Sequence, residues 1–200
     1  MPEEPLVAHS LAEAYLYLMA TPCASCGQGP LKGLDTKIVS ETERSVTVAI
    51  AARCAACQSD TTKAFLLPGG LGSEEERGEA AIVNPTDEPS RILDVGQWIV
   101  LFRMITEAAS KETDKTQARH LGIEAAQCLE EALKFYDDVD NDLPPSEAFF
   151  TDASRERFRG APEQFSRRRL IDLRTKLPSM AAMRASVSAR KKKRWWRRRG

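Results

Sequence analysis

The sequence predicts an α+β protein in which three short antiparallel strands pack with an α-helical bundle or hairpin. Two observations favour this fold class. Two cysteine pairs of identical spacing bracket a segment rich in Val, Ile and Thr, which is typical of β-strands. Farther along the chain, apolar residues recur every three or four positions, which is typical of amphipathic helices. With 42% hydrophobic residues in 200, the chain is expected to form one domain, or one domain with a small annex.

The first predicted element is a helix within residues 1–19. Ser10 precedes the apolar stripe and Glu13 follows three positions later, which matches a capping box. Pro22 marks its end, because proline cannot continue a helix. The residues of the stripe are Leu11, Ala14, Tyr15 and Leu18.

The second element contains the four cysteines that carry the predicted chemistry. Cys23 and Cys26 form one C-x2-C pair, Cys54 and Cys57 form the other, and 27 residues separate the pairs. Two residues between thiols let a tight turn aim both sulfurs at one point, and Gly27 suits a turn with positive φ. Two such pairs together supply four thiolates, the donor set of a closed structural zinc site. We therefore expect all four cysteines to bind one structural Zn²⁺.

For the two pairs to meet, the intervening chain must return to its start. The segments that begin at Leu34 and Ser45 read as the two strands of a β-hairpin, and a third short strand begins at Thr61. Two knuckles around a hairpin resemble a zinc ribbon over residues 20–68. The resemblance extends to the fold alone, and no specific protein family is recognised in the whole chain.

Three alternative interpretations of the cysteines fit the sequence less well than a zinc site. A thioredoxin-like redox motif needs one C-x-x-C near a βαβ pattern, which two pairs around a hairpin fit poorly. A rubredoxin-like iron site has similar ligands, but Cys57 is followed by Gln58 rather than glycine, and aromatic residues are scarce. Structural disulfides are disfavoured because a reducing cytosol is the expected compartment.

The remaining elements are an acidic linker over residues 69–90 and a helical domain over residues 91–178. The linker mixes glycine, proline and acidic residues. The helical domain is expected to contain an αα-hairpin that breaks near residues 110–115. Cys128 lies on the apolar face of the second helix and is expected to be a buried small hydrophobe.

The last predicted segment is a disordered basic tail over residues 179–200. Three partners are open for it: nucleic acid, through phosphate contacts and indole stacking; an anionic membrane surface, which is the weaker case; or the acidic part of the chain itself. The residues predicted to contact nucleic acid are Arg190, Lys191, Lys192, Lys193, Arg194, Trp195, Trp196, Arg197, Arg198 and Arg199.

The charge distribution and the motifs favour a binding protein over an enzyme. Residues 1–152 carry 12 Lys and Arg against 26 Asp and Glu, whereas residues 153–200 carry 17 against 3. No secretory signal or membrane span is recognisable, so a cytoplasmic location is expected.

The two histidines, His9 and His120, fall in different predicted helices. The sequence therefore predicts a non-catalytic adaptor with a protein partner. The alternative is a small enzyme, or a regulator of one, with a site between ribbon and helices.

Overall fold

The computed structural model describes residues 4–68, 82–136 and 141–178. Its described part is a mixed α/β structure with a four-stranded sheet and five α-helices. The strands are β1 (Leu6–Val7), β2 (Leu31–Glu41), β3 (Val46–Cys54) and β4 (Asp60–Leu67). The helices are α1 (Leu11–Ala20), α2 (Val95–Lys111), α3 (Lys115–Leu133), α4 (Asp152–Gly160) and α5 (Arg167–Thr175). Short 3₁₀ turns cover Ser146–Ala148 and Pro162–Phe165.

The sheet has the order β1-β4-β3-β2. The predicted hairpin is present, since β2 and β3 pair antiparallel, and β4 pairs antiparallel with β3 as the third predicted strand. The strand β1 was not predicted: it lies in the segment 1–19 before the predicted helix start at Ser10, and it pairs parallel with β4. Two residues are too few to show a period-2 pattern, so the sequence carries no signal for this strand.

Helix α1 begins where the sequence predicts. The side chain of Ser10 accepts a hydrogen bond from the backbone N–H of Glu13 at 3.1 Å. In a capping box, the Glu13 carboxylate would accept from the backbone N–H of Ser10. Here it accepts from the backbone N–H of His9. Glu13 is therefore fully buried while it satisfies a donor just outside the helix.

The core lies between one face of the sheet and the helices. Alternate residues of β3 are buried, as expected for a strand with one covered face. On the same side, the rings of Tyr17 in α1 and Phe65 in β4 meet edge to face at 5.7 Å. The buried residues of the sheet, of α1 to α3 and of the segments up to Leu170 form one continuous cluster. The division into residues 20–68 and 91–178 stays a prediction, but the two parts share this core.

Residues 82–90 of the predicted linker include buried residues as well as an exposed stretch at 85–89. Val83 and Ser90 are buried. The N–H of Val83 donates to the side chain of Gln127 at 2.9 Å, and its carbonyl accepts from Ser10 Oγ at 2.6 Å. This segment fills the junction between α1 and α3. Residues 69–81 lie outside the described residues.

Candidate metal centre

The four cysteines lie on two turns built in the same way. Cys23 follows α1 and starts the first turn, whereas Cys54 ends β3 and starts the second. In each turn, the N–H four residues after the first cysteine donates to that cysteine's carbonyl: Gly27 to Cys23 at 2.8 Å and Gln58 to Cys54 at 3.0 Å. Gly27 and Gln58 both have positive φ, at 69° and 61°. The two turns, called the first and second knuckles from here on, therefore match each other in backbone geometry.

Hairpin pairing brings the knuckles together. Leu31, at the start of β2, is in register with Cys54 at the end of β3. The N–H of Ala55 donates to the carbonyl of Pro30 at 2.9 Å, which joins the second knuckle to the chain leaving the first. The residues between the pairs thus return the chain to its start, as the sequence predicts.

The sulfur positions fit a tetrahedral metal ion. All four Sγ atoms lie within 4.8 Å of one another. Cys23 Sγ is 3.8 Å from Cys57 Sγ, and Cys26 Sγ is 3.7 Å from Cys54 Sγ. With metal–sulfur bonds of about 2.3 Å, the sulfurs of a regular tetrahedron lie about 3.8 Å apart. The four cysteines could therefore hold one metal ion, and the arrangement is compatible with a zinc-ribbon-like site.

Disulfide bonds do not account for this cluster. A disulfide requires two sulfurs about 2.05 Å apart, far closer than the measured separations. All five cysteines of the chain are free thiols. A four-thiolate set suits iron as well as zinc, so the geometry defines a metal site without selecting the metal.

Ser59 supports two of the thiols and is a residue that sequence reasoning missed. Its Oγ lies 3.2 Å from Cys23 Sγ and 3.1 Å from Cys57 Sγ. The hydroxyl's hydrogen bond is the largest cause of the lowered pKa at both cysteines, and with backbone hydrogen bonds from Ser25 and Cys26 it brings the pKa of Cys23 to about 6. A serine two positions after a C-x-x-C pair is too common to be recognised from sequence. Its position across the site depends on the hairpin register.

The pKa of the Cys26 thiol is shifted in the opposite direction, upward. A backbone hydrogen bond from Gln28 lowers the pKa of its thiol, but the Cys57 thiol, burial and the thiols of Cys54 and Cys23 outweigh this and raise it to about 12. Four thiols in one small volume cannot all ionise without repelling one another. A divalent cation supplies the opposing charge that lets all four act as thiolates.

An ion pair joins β3 and β4 where they flank the second knuckle. Arg53 of β3 lies opposite Asp60 of β4. Its Nε and Nη2 donate to the two oxygens of Asp60 at 2.7 and 3.1 Å. The hydrogen bond raises the pKa of the Arg53 guanidinium and lowers that of the Asp60 carboxyl. This bidentate pair fixes the two strands on either side of Cys54–Cys57.

The other candidate groups do not join the cysteine cluster. Cys128 is fully buried in α3, and burial followed by the charges of Glu124 and Glu131 raises the pKa of its thiol well above 9.0. It is therefore the buried small residue that the sequence predicts. His9 Nδ1 lies 3.2 Å from Glu13 at the start of α1, and His120 lies in α3. The predicted nucleic-acid contacts, Arg190 to Arg199, lie outside the described residues.

No protein-family model, no curated protein and no solved structure matches this chain. Among the described residues, no helix is both long enough and apolar enough to cross a bilayer.

Proposed function

We propose that this chain is a non-catalytic binding protein in which Zn²⁺ holds the two knuckles together and the outer edge of β2 receives a protein partner. The observation that carries the proposal is the exposed apolar surface of β2, which continues directly from the first knuckle. An adaptor is expected to expose such a surface.

The knuckles suit a structural ion. Four cysteine ligands complete a tetrahedral shell, so substrate or water finds no open position on the metal. Zinc is redox-inert and commonly adopts this four-thiolate geometry. The ion's proposed role is therefore to hold Cys23 and Cys54, which lie at the start and end of the hairpin chain, in fixed positions.

The edge strand offers both hydrogen bonds and side chains to a partner. In the sheet order, β2 is terminal, so one edge of its backbone has no neighbouring strand in the described part of the chain. Leu34, Ile38 and Val39 are 57%, 52% and 63% exposed. An extended partner segment that adds as a fifth strand would satisfy the backbone groups and cover these side chains.

The test is native mass spectrometry of the chain purified from its own host. Zinc is expected at one ion per chain, and a partner is expected to co-purify. Val39→Lys places a charge on the edge and is expected to reduce the partner-bound fraction by about tenfold. Leu143→Lys, at a residue 44% exposed elsewhere, is the control. Equal capture by both variants would refute the docking surface, and a mass of two chains would identify the partner as a second copy.

The basic tail is proposed to add contacts to nucleic acid. Its eight Lys and Arg residues flank Trp195 and Trp196. Cations that neutralise phosphates release counterions, so binding to single-stranded oligonucleotides is expected to weaken steeply with salt. Removal of residues 190–200 is expected to abolish this binding. Undiminished affinity of the truncated chain would show that the tail does not carry it.

A further inference from the structure

A second concave site lies away from the cysteines. A cavity of about 240 Å³ is formed by α2, by α4 and by the chain that follows α4 up to Phe165. Its walls combine the apolar side chains of Ile99, Val100 and Phe165 with the guanidinium groups of Arg103 and Arg157. None of its lining residues belongs to the sheet or to either knuckle.

Positive charge converges on this cavity without a matching carboxylate. Burial, then the charges of Arg169 and Arg157, lower the pKa of Arg103. Within the described residues, no carboxylate lies at ion-pair distance from Arg103, Arg157 or Arg169. By contrast, Arg155 on the same helix as Arg157 pairs with Asp152 at 2.8 Å. Positive charges that lower the pKa of Arg103 make this cluster unfavourable unless an anion offsets them.

The cavity also holds one of these groups in place. Arg103 Nη2 donates to the side-chain oxygen of Gln164, which lines the same wall. Within the described residues, the remaining guanidinium donors of Arg103 and those of Arg157 have no protein partner and are available to a ligand. A planar guanidinium with several donors recognises phosphate oxygens in a bidentate manner.

We propose that this cavity binds a phosphate group, with Arg103 and Arg157 contacting its oxygens and the Ile99–Phe165 wall contacting the apolar body that carries it. Two guanidinium groups match the charge of a phosphate, which is close to −2 at neutral pH, better than that of a carboxylate. The cavity is small enough to take one phosphate and one ring. The phosphate belongs either to a small organic ester or to a nucleic-acid backbone.

The experiment is an NMR titration of the full-length, zinc-loaded, ¹⁵N-labelled chain at constant ionic strength. The probes are inorganic phosphate, phenyl phosphate and a short oligothymidylate. The backbone amides of Gly96 and Gly160, which line the cavity, report on this site separately from the basic tail. Saturable shifts of these amides are expected. Tighter binding of phenyl phosphate would identify a small organic ester as the source, and tighter binding of the oligonucleotide would identify the nucleic-acid backbone.

Substitutions of the arginines test whether their guanidinium groups bind the phosphate. The double variant R103Q/R157Q is expected to lose about tenfold or more in affinity, since two charge-assisted contacts are removed. The matched control is R155Q, an exposed arginine of the same helix, which is expected to bind as the unmodified chain does. The single variants R103K and R157K keep the charge and are expected to bind with intermediate affinity. Shifts that do not saturate, or equal affinity in R103Q/R157Q and R155Q, would overturn the proposal.

Discussion

At the scale of single residues, the two knuckles reach one backbone shape by different means. Gly27 adopts positive φ without steric cost, whereas Gln58 adopts it with a side chain. The Gln58 amide donates to the carbonyl of Ala55 at 3.1 Å, which helps to hold the turn. The absence of glycine after Cys57 counted against an iron site in the sequence, but it does not alter the turn itself. The residue type was therefore weaker evidence than the spacing of the cysteines.

Gly27→Ala tests the conformational demand of the first knuckle. A Cβ at this position would meet nothing within 4 Å, so the cost is conformational rather than steric. We expect the free energy of unfolding to fall by about 1 kcal/mol, the usual cost of a left-handed residue with a side chain. Gln58→Gly is expected to lie within about 0.5 kcal/mol of the unmodified chain, because relief of the same strain offsets the greater freedom of the unfolded glycine. Urea unfolding of the zinc-loaded proteins measures both, and equal losses would contradict this view.

Ser59→Ala tests the support of the metal ligands. The hydroxyl lies within 3.2 Å of the sulfurs of Cys23 and Cys57, so its removal leaves these two thiolates with their backbone donors alone. We expect the affinity for zinc to fall by about 10- to 100-fold, the range for loss of a hydrogen bond to a ligand. Competition with a chromophoric chelator provides the measurement. Ser40→Ala, at an exposed serine of β2, is the control, and equal zinc affinity in the two variants would remove Ser59 from the site.

At the scale of elements, the long periodic segments were predictable and the short irregular ones were not. The apolar stripe of α3 predicts its buried face, since Ala125, Cys128 and Ala132 are all fully buried. Helix α4 carries five charged residues among its nine and has no apolar stripe to reveal it. Near the end of the predicted helical domain, a 3₁₀ turn over Pro162–Phe165 precedes Ser166, which caps α5. Tertiary contacts, rather than local propensity, define these elements.

Asp94 is the contact that fixes α4. It is fully buried at the N-terminus of α2, where it accepts from the N–H of Gln97 at 2.8 Å. The same carboxylate accepts from Ser154 Oγ at 2.7 Å, and from the N–H and hydroxyl of Thr151 at 3.0 Å. Thr151 is the N-cap of α4, so one side chain joins the first turns of two helices.

Asp94→Asn is expected to lower the free energy of unfolding by about 2–4 kcal/mol. The amide has the same shape, but its NH₂ group would face donors and leave them unsatisfied in a buried site. Asp114→Asn is the control, because Asp114 is an exposed N-cap of α3 and asparagine caps helices as well as aspartate. Chemical denaturation compares the two. A loss at position 94 no larger than at 114 would show that the buried carboxylate does not join the helices.

At the scale of the whole molecule, the acidic segment (residues 1–152) and the basic segment (residues 153–200) form some ion pairs and hydrogen bonds with each other. Arg174 of α5 donates to Glu130 of α3 at 2.7 Å, and the N–H of Arg168 donates to Asp142 at 3.0 Å. The basic segment is thus packed on the acidic one as far as the described residues extend. The continuous core was not predictable from composition, because it depends on buried polar contacts such as Val83 with Gln127 between distant segments.

The same junction contains a buried carboxyl that makes stability depend on pH. Glu131 is 4% exposed; burial raises its pKa from 4.5, against the opposing effects of Lys134 and Asn84, and the charge of Glu13 raises it further. A raised folded pKa means that ionisation favours the unfolded chain, so this group costs stability as pH rises above 4.5. Relative to the unmodified protein, Glu131→Gln is therefore expected to gain stability between about pH 5 and 8.

The measurement is the difference in unfolding free energy between variant and unmodified chain at each pH, since effects common to both cancel. Glu107→Gln provides a comparison of opposite sign. Lys111 hydrogen-bonds to Glu107 and lowers the pKa of that carboxyl, so the charged form favours folding and its removal is expected to cost stability as pH rises. A difference for Glu131→Gln that does not change with pH would contradict the assignment.

Metal removal tests how far the knuckles and the core depend on each other. Cys23 and Cys54 belong to the same buried cluster as α2 and α3, but most residues of that cluster lie far along the chain from any metal ligand. We therefore expect chelation to lower the melting temperature without unfolding the whole protein. Loss of the ion removes the charge that holds four thiolates together, so the two knuckles are expected to open first.

Hydrogen exchange measured by mass spectrometry on metal-loaded and chelated protein resolves this expectation by segment. Amides of residues 21–30 and 54–59 are expected to exchange faster after chelation, whereas those in the middle of α2 and α3 keep their protection because their apolar contacts do not involve the cysteines. The quadruple variant in which Cys23, Cys26, Cys54 and Cys57 are serine should reproduce the chelated pattern without chelator. Uniform loss of protection in both samples would show that the metal supports the entire fold. No change in either would show that these four sulfurs hold no structural ion.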